Sequence, residues 1–459
     1  MIPFVETTAD PNATPIWPVG AKALDSWLEG RDDRIRAWAR AVGFTAGAGK
    51  TCLVSGSDGN LAGVILGLGD DPDLWAFGAL STDLPTGRYR IDGALPSELA
   101  NGAALAWALG SYQFDRYRKA KDGLATLHLP DGADAAQIAR TVTATFLGRD
   151  LINTPAEDMG PEELAAAVEE LGKRHDASCR VVVGDALLEQ NYPAIHAVGR
   201  AAARAPRLID LTWGDPSHPK VTLVGKGVCF DTGGLDLKPS AGMLKMKKDM
   251  GGAATTVALA AMIMDAGVPV RLRLMVPAVE NAVAGNAYRP GDVLQTRKGL
   301  TVEVGNTDAE GRIVLCDALA DADTEKPDLM VDCATLTGAA RVALGPDLPA
   351  LFTNDDAVAA GLAKHGDTER DPLWRMPLYA PYAEKLKSKV ADLNNVSDGP
   401  FAGAVTAALY LQSFVTETSS WAHIDTYGWS DVARPGRPAG GEPLALRSLY
   451  AFIRERYAA

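Results

Sequence analysis

Residues 225–312 bring together four carboxylates, Asp231, Asp249, Asp308 and Glu310, with two lysines, Lys226 and Lys238, and one arginine, Arg312. Several sit beside or two residues from glycine, in Gly225-Lys226-Gly227, Asp231-Thr232-Gly233-Gly234, Asp249-Met250-Gly251-Gly252 and Asn306-Thr307-Asp308-Ala309-Glu310-Gly311-Arg312. Glycine lets backbone approach closely, so corners of this kind can gather side chains around a small ligand. Hard and borderline divalent cations take carboxylate oxygens. Four carboxylates balance two divalent ions, which reads as a two-metal hydrolase site. The histidines (128, 175, 196, 218, 365 and 423) form no HExxH and all lie outside the stretch, so carboxylates would have to carry the metal. On this charge count a lysine ligand must be neutral, its pKa depressed by the adjacent ions. Each residue alone has a plainer reading. Asp249 can be a helix N-cap, Asp308 a turn residue, Glu310 a first-turn acid, Lys238 a surface lysine and Arg312 an ion-pair partner. The joint pattern carries the metal reading.

The elements that must hold these residues alternate. Strand-like runs fall at 180–183, 221–224, 271–276, 329–333 and 421–425, with helical runs at 252–265, 313–322 and 404–415. Such alternation predicts a mostly parallel α/β sheet, whose ligands gather at the carboxyl ends of strands. Lys226 and Asp231 follow one strand, Asp308 follows a short strand at 301–304, and Thr335 follows another.

The first 135 residues mix short strands, read at 61–66 and 74–80, with a helix from Pro96 to about Lys119. Gly47-Ala48-Gly49-Lys50-Thr51 resembles the end of a P-loop, but Phe44 occupies the place of its first glycine and a strand-like run follows. A phosphate loop needs a helix there, so the stretch is read as a hairpin turn. A helix is expected over 134–149, capped by Asp134. These signals divide the chain into an N-terminal α/β domain (1–135), a linker region (136–160) and a catalytic domain (161–459). The fold class expected is α/β in two domains, the larger one built on a mostly parallel sheet flanked by helices.

At 459 residues the chain is long enough for two cores. A net charge of −13 disfavours general binding to a phosphate backbone. Five scattered cysteines without a CxxC pair fit reduced thiols in a cytosolic protein. The first residues carry neither a basic nor an apolar export segment, and the longest apolar run, 253–264, is too short to span a membrane.

The blocks 225–240, 249–253 and 306–312 resemble the leucyl aminopeptidase family, and Asn306-Thr307-Asp308-Ala309-Glu310-Gly311-Arg312 is highly specific to it. Asp150-Leu151-Ile152-Asn153-Thr154-Pro155, Thr335-Leu336-Thr337-Gly338 and Trp421-Ala422-His423-Ile424-Asp425 extend the resemblance over roughly 145–445, with Ile313 a conservative departure. It implies a cytoplasmic di-metal exopeptidase, a homohexamer that binds two Mn or Zn ions per subunit and acts on peptides with a free N-terminus. By this resemblance Lys226, Asp231, Asp249, Asp308 and Glu310 are the metal ligands, with Lys226 neutral. A hydroxide between the metals attacks the scissile carbonyl, Lys238 stabilises the oxyanion, and Arg312 holds a bicarbonate that acts as general base. Met246, Thr335 and Gly338 line the first side-chain pocket, and Asn306 and Leu336 hold the substrate backbone. Tyr427 stands where the family commonly has a small residue, which would narrow that pocket if the ring points inward. Two other classes are weighed: a P-loop nucleotide binder, opposed by Phe44, and a non-catalytic or DNA-architectural protein on the same fold. All five ligand positions and both catalytic positions are present, which opposes the second.

Overall fold

The structure, a computed structural model, describes residues 2–8, 10–93 and 95–458. It forms two compact units: Met1–Phe146 with Asp431–Ala439, and Leu147–Ser430 with Gly440–Ala459. All five cysteines are free. No described helix is long and apolar enough to cross a membrane.

The first unit holds a six-stranded sheet: β1 (Val5–Glu6), β2 (Thr14–Gly20), β3 (Thr51–Ser55), β4 (Leu61–Gly69), β5 (Arg88–Ile91) and β6 (Thr126–His128), in the order β1-β6-β5-β2-β4-β3. Only β3 runs antiparallel to its neighbour. The stretch 47–50 is a turn, with Lys50 N–H donating to Gly47 O at 3.0 Å, and β3 follows it rather than a helix. Two expectations fail here. The run at 74–80 is not a strand: Asp73 caps a 3-10 turn at Leu74–Phe77, which buries Phe77 in the core. The helix begun at Ser97 ends at Gly110, not near Lys119. A Cβ at Gly110 would lie 1.9 Å from Gly78 O, so the close approach of these two segments requires glycine.

The second unit is built on a nine-stranded sheet. Its strands are β7 (Ser178–Val183), β8 (Arg207–Trp213), β9 (Lys220–Gly225), β10 (Gly227–Asp231), β11 (Arg271–Asn281), β14 (Leu329–Ala334), β15 (Ala350–Thr353), β16 (Trp374–Arg375) and β18 (Trp421–Asp425). A small separate sheet contains β12 (Val293–Gln295), β13 (Thr301–Glu303) and β17 (Leu393–Asn394). The central strands β18, β14, β9 and β11 are parallel, and antiparallel pairing is confined to the flanks, at β8, β7 and β15. The central strands are buried almost throughout, as both faces of a parallel sheet must be when helices cover them. Those helices include Gly251–Asp265 and Glu310–Thr324, whose residues are nearly all buried. The first reads as a nearly continuous apolar run, while the second also buries Asp317, Asp321 and Asp323.

Candidate active site

The carboxyl ends of the parallel strands deliver the chemistry. Lys226 follows β9, Asp231 ends β10, Asn281 ends β11, Thr335 follows β14 and Asp425 ends β18. Lys226 is pinned by its backbone: its N–H donates to Cys333 O at 3.0 Å and its carbonyl accepts from Ala253 N–H at 2.9 Å. A Cβ on Gly311 would lie 2.6 Å from Lys226 Cε, so any side chain there would displace the tip of the lysine.

The structure brings the predicted residues into one cluster. Oxygens of Asp231, Asp308 and Glu310 lie within 4.8 Å of one another. Lys238 Nζ sits 2.8 Å from Asp231 Oδ2 and also pairs with Asp308. On the other side Lys226 Nζ lies 2.6 Å from Asp249 Oδ2 and 2.8 Å from Glu310 Oε1, and it donates to Thr335 O at 3.1 Å. Asp249 and Glu310 are 3% and 1% exposed, and the Lys226 ammonium is the one cation that meets Asp249 Oδ2 and Glu310 Oε1 among the described residues. Four carboxylates thus share two ammonium groups, and this excess of buried negative charge marks a place for a cation. An all-oxygen set with one amine suits a hard or borderline divalent ion.

The electrostatics agree. Burial, then the neighbouring Asp231, pushes the Glu310 carboxyl up to about 8 and that of Asp308 up to about 6. For Asp231 burial is outweighed by Lys238 and Lys226, which hold it below the ordinary carboxylate range. Burial likewise opposes the Lys226 ammonium, but Asp249, Glu310 and Asp231 outweigh it and raise it far above the usual lysine range. With protein charges alone this lysine is a counter-ion. A neutral Lys226 requires other cations among these carboxylates.

Several supporting residues lie outside the sequence motifs. Asn281, paired in register with Asp231 across β10 and β11, donates from Nδ2 to Asp231 Oδ1 at 2.9 Å and to Thr307 O at 3.0 Å. The Tyr288 hydroxyl donates to the same carbonyl at 2.7 Å. Thr307 N–H in turn donates to Asp236 Oδ2 at 2.7 Å, which ties the two carboxylate loops together. Asn395 brackets the 305–309 turn. Its Oδ1 accepts from Gly305 and Asn306 N–H, and its Nδ2 donates to Asn306 and Ala309 carbonyls. Asn395 O also accepts from Arg312 Nη1 at 2.7 Å. Arg312 is buried at the start of the helix Glu310–Thr324, and its Nε has no acceptor. In the sequence only the Asn394-Asn395 doublet hints at this brace; the pairing of β13 with β17 brings it to the turn.

The remaining predicted residues surround the cluster. Met246 is half-buried in the 3-10 turn Met246–Met250, which also carries Asp249. Thr335 is buried, and its hydroxyl lies 2.8 Å from Asp249 Oδ1. Leu336 N–H donates to Asp425 Oδ1 at 3.0 Å, and Gly338 opens the helix Gly338–Leu344 on the exposed side. Asn306 is half-buried, its Oδ1 accepting from Asp308 N–H at 2.7 Å. Tyr427 is half-buried, with its ring beside Lys248 and Arg341. Burial pulls the Lys248 ammonium down to about 8.

The family model described as the cytosol aminopeptidase family, catalytic domain, matches residues 146–450. The chain belongs to the cytosol aminopeptidase family. A second model, the M17 aminopeptidase N-terminal domain, matches residues 14–130 of this family member. Among curated relatives, Peptidase B of Pectobacterium carotovorum is 46% identical over 315 residues, covering 66% of this chain and 71% of the relative. A probable cytosol aminopeptidase of Nitratidesulfovibrio vulgaris is 42% identical over 370 residues, covering 76% and 72%. The crystal structure of a cytosol aminopeptidase from Coxiella burnetii superposes with a TM-score of 0.95 at 51% identity, over 99% of each chain. The bottromycin maturation enzyme BotP, solved in complex with Mn, superposes with a TM-score of 0.86 at 34% identity, over 97% of this chain and 99% of that one. The protein is therefore a metallo-aminopeptidase with the two-domain, mixed α/β architecture of its family.

Proposed function

We propose that this enzyme releases N-terminal amino acids from peptides at a two-metal site held by Lys226, Asp231, Asp249, Asp308 and Glu310. The observation that carries the reading is the gathering of four carboxylates, Asp231, Asp249, Asp308 and Glu310, around two ammonium groups, Lys226 and Lys238, with oxygens of three of them within 4.8 Å of one another. The ions proposed are Mn or Zn, and the Mn complex of BotP supports the first. When bound, such ions would lower the pKa of a water to near neutrality and polarise the scissile carbonyl. Asn281 would hold Asp231 in its ligating orientation, and Thr335 would do the same for Asp249.

Lys238 stays cationic beside Asp231 and Asp308, and its side chain is 15% exposed, so it can meet substrate and stabilise negative charge developing on the carbonyl oxygen. Arg312, with an unpaired Nε at a helix N-terminus, forms a seat for a small anion. The resemblance supplies bicarbonate there as general base. Asn306 and Leu336 would orient the substrate backbone, with Met246, Thr335 and Gly338 around its first side chain. A homohexamer in the cytoplasm completes the reading and rests on the family resemblance. The test is a panel of aminoacyl amides with metal-stripped protein to which Mn, Zn, Co and Mg are added singly. Turnover should return with metal, at two ions per subunit by elemental analysis. Full turnover by stripped protein without metal would sink the reading.

A further inference from the structure

Asp236 lies exposed in the loop between Asp231 and Lys238. Its carboxylate Oδ2 accepts from Thr307 N–H at 2.7 Å, and its own N–H donates to the Thr307 hydroxyl at 2.9 Å. That hydroxyl has a single proton to give. Its shorter contact is to Gly233 O at 2.6 Å, with Asp236 Oδ2 farther off at 3.1 Å. One fully buried threonine is therefore held by the loop at both Gly233 and Asp236.

The turn that presents Asp308 shows why this clamp is needed. Asn306 satisfies most of the turn: its Oδ1 accepts from Asp308 N–H and its carbonyl from Ala309 N–H. Thr307 N–H points the other way, to Asp236. A buried amide without an acceptor is costly, so a second segment must supply one. The 232–238 loop bends far enough to do so because Gly233 and Gly234 both take left-handed backbone, with φ of 87° and 65°. A Cβ on Gly233 would lie 2.5 Å from Asp236 O.

The clamp joins the neighbours of two side chains that meet. Asp236 stands two residues before Lys238, Thr307 stands next to Asp308, and Lys238 Nζ pairs with Asp308 and Asp231. Lys238 N–H donates to Thr232 O at 2.9 Å, which closes the loop behind the clamp. No ion pair links Asp236 to Lys238 or to another cation among the described residues. Its hold on the lysine is geometric.

We propose that Asp236 is a positioning residue for Lys238. By holding Thr307 it fixes the distance between the Lys238 ammonium and the Asp231 and Asp308 carboxylates, and so delivers the cation to the developing oxyanion. The inference rests on the role given to Lys238 in the proposed function.

The test sets Asp236→Ala and Asp236→Asn beside Lys238→Ala and the Asp236→Ala/Lys238→Ala double variant, all metal-loaded and assayed on one aminoacyl amide. Asp236→Ala should lower kcat by about tenfold, the order of a lost hydrogen bond to a charged group, with KM within about twofold. Both metal ions should be retained by elemental analysis. Asp236→Asn keeps an oxygen for Thr307 N–H and should recover most of the loss. In the Lys238→Ala background the Asp236 substitution should cost less than about twofold more, because residues acting through one group are not additive. A further readout is independent of turnover. Backbone hydrogen exchange in the peptide containing Thr307 should be faster in Asp236→Ala than in wild type, and near wild type in Asp236→Asn. Full kcat in Asp236→Ala, an equal loss in Asp236→Asn, a lost metal ion, or a further tenfold loss in the Lys238→Ala background would each overturn the inference and leave the aminopeptidase reading standing. A Lys238→Ala variant with full turnover would overturn the inference together with the role of Lys238 on which it rests.

Discussion

Asn395 and Arg312 form one unit. The Asn395 carbonyl accepts from Arg312 Nη1 at 2.7 Å, while the Asn395 amide group holds the turn that presents Asp308. The proposed anion seat and the carboxylate cluster are thereby set at a fixed separation by a residue 83 positions away from Arg312.

Asn395→Asp should uncouple them. The carboxylate keeps the acceptor for Gly305 N–H but faces the Asn306 and Ala309 carbonyls with no donor. Loss of those buried contacts costs about 1–3 kcal/mol. Turnover should fall more than KM rises, since both catalytic elements shift together. Steady-state kinetics with elemental analysis checks this. A variant with normal kcat and raised KM would show that Asn395 acts on substrate binding alone.

The two lysines should separate by metal content. Lys226→Arg places a permanent cation where the proposed chemistry requires a neutral amine, so bound metal should drop. Lys238→Arg keeps its charge and should retain both ions, with the loss falling on kcat. Elemental analysis and kinetics on both variants decide. The reverse metal pattern would mean that the roles are exchanged.

Tyr427→Ala should change specificity modestly. Removing the ring opens space beside Lys248 and Arg341 and frees both from their shared contact. Efficiency on leucyl relative to alanyl substrates should rise, by no more than the ~1–3 kcal/mol that one or two methylenes supply. An unchanged ratio would place the ring outside the pocket.

Asp323 should control acid sensitivity. Its carboxylate accepts from Thr416, Glu417 and Thr418 N–H and from the Thr418 hydroxyl at 2.7 Å. Burial alone would raise its pKa, but these hydrogen bonds outweigh burial and hold it below the ordinary value. A depressed folded pKa means that the stabilisation is whole above about pH 4, the unfolded value, and is lost as pH falls through the lower folded value. Asp323→Ala should therefore destabilise by about 2–4 kcal/mol at pH 7, and by clearly less near pH 3. Urea unfolding at both pH values measures the difference. An equal loss at the two would exclude the charge as its source.

The sequence alone determined the local features. Glycine-flanked acids at strand ends, the cap at Asp134 and the apolar runs of the central strands are written in short stretches, because each depends on neighbouring backbone. The same locality misled at 74–80, where an apolar run reads equally as strand or buried turn until Asp73 caps it. Tertiary structure decided what joins distant segments. Register across β10 and β11 sets Asn281 beside Asp231, and pairing of β13 with β17 carries Asn395 to the 305–309 turn. The closure of the 248, 341 and 427 segments leaves two cations around one ring. These contacts depend on how sheet and helices pack, and no spacing along the chain encodes them.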